Sequence, residues 1–266
     1  MTLTGVHGTP YGSTIACTPY TSMQGMTMNL SRPTAVTAGV FFLLTEVGAI
    51  AAAALYGPIL TDADYITGSG ADGAILLGAL FELLLVLAVV GTAVTLYPIL
   101  RRWNAGLALA FVLARVLEAA LILVGTLSLL TIVTLRQQIA DTAGSDPATL
   151  STIGSALVAL RDWTFLFGPN FALGIASLLL ASLMYATRLV PRAIAVLGLV
   201  GGGLILASAV AVMFGAYEQM STVGLVIALP VFTWEVSLAV WLIVKGFRPV
   251  GILSIPAAHV DARADA

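Results

Sequence analysis

Apolar residues fill six long stretches of this chain, and polar residues gather in the gaps between them. Crossing the hydrocarbon core of a bilayer takes about 20 helical residues at 1.5 Å rise each. The first stretch runs roughly from Thr34 to Tyr56 and stops at Gly57-Pro58. The second runs from Gly73 to Leu100, before Arg101-Arg102, and the third from Ala105 to Leu135. The fourth is expected from Thr164 to Thr187 with a helical lead-in from Pro147, the fifth from Pro191 to Phe214, and the sixth from Thr222 to Val244. In lipid each span must satisfy its own backbone, so the pattern predicts an all-α, polytopic bundle of six transmembrane helices. The short connections 101–104 and 188–191 make their flanking helices antiparallel neighbours. Asp146-Pro147 reads as a helix start in the longer third loop. No internal repeat is evident, which argues against an inverted-repeat transporter.

The two ends lack this pattern. Residues 1–31, rich in Thr, Gly, Ser, Met and Pro, are expected to form a disordered tail, and residues 250–266 a second, cytoplasmic one. Between them lies a membrane domain, 32–249. The start has no basic stretch leading into an apolar one, so it is not a signal peptide. Met23, Met26 and Met28 each offer a later start, in which case the residues ahead of it are not translated.

Composition narrows the class further. The chain is 59% hydrophobic and 9% charged, against about 25% charged in soluble domains, so lipid must cover much of its surface. A net charge of −2 argues against nucleic acid as a partner. Cys17 has no second cysteine to pair with inside the chain, and His7 and His259 both lie in the tails. Histidine is therefore missing at membrane depth, where haem or metallohydrolase chemistry would need it. No cofactor and no metal site is expected, and an enzyme ranks last among the functional classes.

Basic residues mark the topology. Arg32, Arg101, Arg102, Arg188, Arg192, Lys245 and Arg248 share one side of a six-span chain. The opposite loops carry Asp62, Asp64, Asp72, Asp141, Asp146 and Glu218, with only Arg136 and Arg161 among them. This bias predicts a multi-pass protein of the cell membrane with both termini in the cytoplasm.

Five ionisable residues interrupt the apolar runs: Glu46, Glu82, Arg115, Glu118 and Glu235. A charge at such depth is costly and is seldom kept without a use. Glu46 lies roughly 18 Å into its span, and the other depths overlap with it near mid-membrane. Arg115 and Glu118, three apart, share a helix face and can pair. Four carboxylates cannot all stay ionised around a single guanidinium, so at least one is expected to carry a proton near neutral pH. Two readings stand side by side. These groups are interhelical hydrogen-bond partners that set the packing, or they form a site for a proton or a small ligand.

At the outer end of the fourth span, LRDWTFLFGPN (160–170) places Arg161 and Asp162 at the expected mouth and Trp163 at the interface. Gly168-Pro169 removes a backbone donor, so the segment is either an anchor with a tolerated kink or a broken helix lining an external pocket. Asn170 is the candidate to meet the freed backbone or a ligand. Gly198 and Gly202, four apart, allow close helix approach inside the bundle or between copies, which makes a homo-oligomer through them a further expectation. Gly201-Gly202-Gly203 follows no strand and is no phosphate loop.

Five segments in this order are distinctive together, although each alone is ordinary membrane sequence: GALFELLLVLAVVGTAVTLYPILRR (78–102), RVLEAALILVGTLSLL (115–130), ALRDWTFLFGP (159–169), SLMYATRLVPR (182–192) and WEVSLAVWLIVKGF (234–247). From roughly Arg32 to Pro249 the chain resembles the bacterial membrane family named domain of unknown function 4386. The resemblance implies a compact multi-span protein without an established activity. It matches the family's recurrent charged positions to Glu82, Arg115, Glu118, Arg161, Asp162 and Glu235. It does not reach the first thirty residues, which fits the later start. The functional classes left open are a proton-coupled or ligand-binding membrane module and a structural or sensory membrane subunit built as a dry bundle.

Overall fold

A computed structural model describes residues 21–61, 65–66, 72–140 and 147–249. Every element within them is helical: α1 (Thr21–Leu55), α2 (Gly57–Thr61), α3 (Asp72–Leu100), α4 (Ala105–Ala140), α5 (Pro147–Phe165), a π-helical segment (Leu166–Ala172), α6 (Leu173–Thr187), α7 (Arg192–Met213) and α8 (Thr222–Val244). Six stretches are long and apolar enough to span a membrane: Arg32–Leu55, Asp72–Leu100, Ala105–Gln138, Ala148–Thr187, Arg192–Met213 and Thr222–Val244. The all-α, six-span architecture expected from the hydrophobic pattern is the one observed. Helix α1 already begins at Thr21, ahead of the expected span. The rest of the expected tails, with Cys17, His7 and His259, lies outside the described residues.

The six spans form a ring in chain order. Helix α1 packs on α3, α3 on α4, α4 on the α5–α6 span, α6 on α7, α7 on α8, and α8 closes back on α1. Small residues make the close seams. Ala35, Ala38, Ala93, Ala108, Ala176, Ala181 and Ala239 are buried, whereas Leu87, Leu113 and Leu127 point outward. Water offers no driving force within lipid, so helices associate by close backbone packing, and large side chains are left to meet acyl chains. Gly198 and Gly202 belong to this packing. A Cβ on Gly198 would sit 2.4 Å from the Trp234 ring, and one on Gly202 would sit 2.9 Å from Ser177 Cβ. Both glycines face inward, so their spacing serves the packing of α7 against α6 and α8.

Both ends of the membrane domain lie on one face, called here the terminal face. Arg32 Nη2 donates to the Ile243 and Val244 carbonyls at 2.9 and 3.1 Å, tying the first span to the C-terminal end of the last. A guanidinium there meets the unsatisfied carbonyls and the negative end of the helix dipole. The tight turns of this face are capped locally. Asn104 Oδ1 accepts from Leu107 N at 2.9 Å ahead of α4, and Arg188 adopts a left-handed conformation (φ 56°) after α6. On the opposite, distal face, α2 and the turn at Tyr65–Ile66 pack against α4 and α5 through Ile59, Ile66, Ile132 and Val133.

In the fourth span the expected lead-in from Pro147 is present as α5, and α5 through α6 make one helical path that holds a π-helical segment where a kink or break was foreseen. Pro169 has no N–H to give to an α-helical ladder, and widening the turn accommodates its ring without ending the helix. The N–H of Leu173 then bridges the Gly168 and Asn170 carbonyls as the α-helix resumes.

Candidate functional site

The ionisable side chains inside the ring fall into two groups with different charge balance. In the first, Arg115 on α4 is fully enclosed at 2% exposure. Its Nη1 donates to Glu118 Oε2 at 3.0 Å and lies 3.6 Å from Glu235 Oε1. Its Nε reaches Thr92 Oγ1 at 3.3 Å, and its guanidinium lies over the Phe42 ring at 5.7 Å. The carboxyl of Glu46, from α1, comes within hydrogen-bonding reach of Glu235. One guanidinium therefore faces three carboxyls, brought in by α1, α4 and α8.

The second group is balanced. Glu82 on α3 and Arg161 on α5 form a buried ion pair through Glu82 Oε1 and Arg161 Nη2. The other oxygen, Oε2, accepts from Tyr56 Oη at 3.0 Å and from Thr126 Oγ1 at 2.6 Å. Arg161 also lies over the rings of Tyr56 and Phe165, at 5.7 and 5.2 Å. Glu82 is thus met by donors on both oxygens, with one positive partner for its one negative charge.

The two groups line the same cavity of about 150 Å³, which contains Glu46, Glu82, Arg115, Glu118, Arg161 and Glu235 in its wall. The remaining wall is largely apolar, with Ala49, Leu85, Ile122 and Phe165 among its contributors. Helical periodicity explains the placement. Arg115, Glu118 and Ile122 follow an i, i+3, i+7 spacing on α4, and Arg161, Phe165, Pro169 and Leu173 follow i, i+4, i+8, i+12 along the fourth span. Several buried polar atoms have no hydrogen-bond partner in the protein: Arg115 Nη2, Arg161 Nε and Nη1, and Glu235 Oε1.

The family model for the domain of unknown function (DUF4386) matches residues 37–246. The chain belongs to this family. The match runs through all six spans and includes every residue of both groups. No curated protein and no solved structure matches the chain.

The DUF4386 fold brings the five mid-span candidates together, but around two guanidiniums where the sequence predicted one. Arg161 is the difference. Placed by its sequence at the outer mouth, it is 5% exposed and turned into the bundle, because the fourth span starts earlier than its hydropathy suggests. Asp162, its neighbour, points the other way into a separate cavity near the distal face. Asn170 does not line the central cavity; its carbonyl takes part in the helix ladder. Tyr56, Thr92 and Thr126 were not singled out from the sequence. Thr126 carries a signal, since it lies eight residues after Glu118 on the same face. Tyr56 does not, since a tyrosine at a span end reads as an interface anchor.

Near the distal face a third ion pair, Arg136 with Asp72, lies beside Tyr65. Burial pushes the Tyr65 hydroxyl above its ordinary value, and the neighbouring Asp72 carboxylate adds to this while Arg136 opposes it. Among the described residues no group of three or more His, Cys, Asp or Glu side chains has an arrangement that could hold a metal ion.

Proposed function

We propose that this DUF4386 member is a multi-pass protein of the cell membrane that holds exchangeable protons among Glu46, Glu118 and Glu235, with Arg115 as counter-charge. One observation carries the reading: four carboxyls, those of Glu82, Glu118 and Glu235 buried and that of Glu46 half-buried, share a cavity with only two guanidiniums. Fully ionised, that wall would bear two uncompensated negative charges. An unpaired buried charge costs several kcal/mol, and taking up protons removes the cost. Pairing does not spread the deficit evenly. Glu82 and Arg161 cancel each other, so the excess belongs to the three carboxyls around Arg115.

A small protonated ligand that donates hydrogen bonds to those carboxyls would satisfy the same deficit. The packing role, in turn, suits the Glu82 group. Its ion pair and its bonds to Tyr56 and Thr126 link α3, α4, α5 and the junction between α1 and α2, which is what a structural polar node does in a membrane.

Infrared difference spectroscopy on reconstituted protein tests the proton site. A carbonyl band of protonated carboxyl is expected near neutral pH, with the downshift in heavy water that marks exchange. Glu46→Gln, Glu118→Gln and Glu235→Gln should each change it, while Glu82→Gln should not. Absence of the band at neutral pH, or its indifference to all three substitutions, defeats the proposal.

Its charge supports a cytoplasmic orientation for the basic terminal face. Its seven Lys and Arg side chains are exposed, whereas the two distal arginines are tied to Asp72 and Glu82.

A further inference from the structure

A second cavity, of about 260 Å³, lies toward the distal face, lined by Thr61, Tyr65, Ser155, Val158 and Asp162 among others. It is stacked on the central one. The first span lines the central cavity with Ala49 and Ala53, and α2, just beyond Tyr56, lines the distal cavity with Ile59 and Leu60. Helix α4 does the same with Ile122 and then Ile132, and the fourth span with Phe165 and then Val158. Along these helices Tyr56, Thr126 and Arg161 fall between the residues that line the two spaces, and all three meet at Glu82 through the hydrogen bonds and ion pair described above.

These side chains are fitted by two glycines. A Cβ on Gly78 would lie 2.7 Å from the Tyr56 ring, and one on Gly125 would lie 2.9 Å from Arg161 Nη1. Room has been made for this ring and this guanidinium between the two cavities. Charge is consistent along the axis. Asp162 is the only ionised side chain among the named lining residues of the distal cavity, and no ion pair engages it among the described residues. The central cavity also carries more carboxyls than guanidiniums. By net charge of the lining residues, both spaces favour a cation over an anion.

We infer that the distal cavity is a cation-selective outer binding site on the route to the central cavity, and that the Tyr56–Glu82–Arg161 layer is the closed barrier between them. The ligand class is a proton carried by water or a small protonated amine, recognised first by Asp162 and then by the carboxyls around Arg115. This rests on the proton-site reading for the destination, while the outer site and the barrier are tested independently of it.

The test uses the full chain with Cys17→Ser, reconstituted in vesicles. Ser155→Cys is treated with two membrane-impermeant thiol reagents of equal size, a trimethylammonium and a sulfonate methanethiosulfonate. Labelling is expected with the cation faster by roughly threefold or more, from the attraction of one nearby carboxylate, and Asp162→Asn should erase the difference. Failure to label, or equal rates with Asp162 present, overturns the outer site. Thr45→Cys, in the central wall, should be silent to the cationic reagent and become reactive when Tyr56→Ala is added. If Tyr56→Ala does not fold, Gly125→Ala displaces the other half of the barrier and serves instead. Equal reactivity with Tyr56 in place, or continued silence in a folded open variant, overturns the barrier. The infrared carboxyl band reads the proton site separately, so either failure leaves that result standing or falling alone.

Discussion

At the scale of single residues, the two carboxylate groups answer differently to the same chemical change. Glu82→Gln leaves Arg161 buried against a neutral amide, and breaking a buried pair in this way costs about 3–5 kcal/mol. Glu235→Gln removes one of the three carboxyls that share protons around Arg115, which keeps Glu118 at 3.0 Å. Its expected effect on stability is about 1 kcal/mol or less, of either sign. Thermal unfolding in a single detergent compares the pair, and equal losses would mean that the charge balance assigned to the cavity is wrong. The contrast also shows what could be read from the chain. Glu46, Glu82, Arg115, Glu118 and Glu235 stand out because lipid makes any charge conspicuous. Arg161 was misplaced because it lies in the more polar half of a long helix, where hydropathy alone puts the boundary too late. Tyr56 and Thr126 were invisible because a hydroxyl costs little in a membrane helix and so carries little information.

At the scale of elements, the π-helical segment fixes how Arg161 faces the cavity. Rewinding Leu166–Ala172 into a regular α-helix would turn α5 by roughly a third of a turn relative to α6. Pro169→Ala permits that rewinding, and the expected result is a loss of roughly 1–3 kcal/mol as Arg161 swings away from Glu82. In a Glu82→Gln background the same substitution should cost little, because the pair is already broken; this non-additivity separates a positioning effect from loss of the proline alone. A second contrast lies in α7. A Cβ on Gly201 would come within 2.7 Å of the Val231 backbone, which cannot give way, whereas one on Gly203 meets nothing within 4 Å. Gly201→Ala is expected to destabilise by about 1–3 kcal/mol through overpacking. Gly203→Ala should be neutral or gain up to about 1 kcal/mol from helix propensity. The glycine run was legible as a close helix approach; which neighbour it approached was not, since spacing within one helix says nothing about what lies opposite.

At the scale of the whole molecule, charge decides direction. Hydrophobicity makes six spans and the ring that closes α8 on α1, but it would serve equally well upside down. The Lys and Arg asymmetry breaks that symmetry, and the structure sharpens it, because Arg136 and Arg161 are each engaged by an acid and offer little positive charge to the distal surface. An exported-only reporter enzyme, such as alkaline phosphatase, should therefore be inactive when fused after Arg248 and active when inserted in the exposed turn 215–218 between α7 and α8. Neutralising Arg101, Arg102, Arg188 and Arg192 together should produce a mixed population, with a measurable active fraction at the C-terminal fusion. These four flank the two tight turns of the terminal face, so their removal tests the orienting charge while leaving the buried pairs of the cavity intact. An active C-terminal fusion in the unmodified chain would reverse the orientation, and the Asp162 cavity would then open to the cytoplasm.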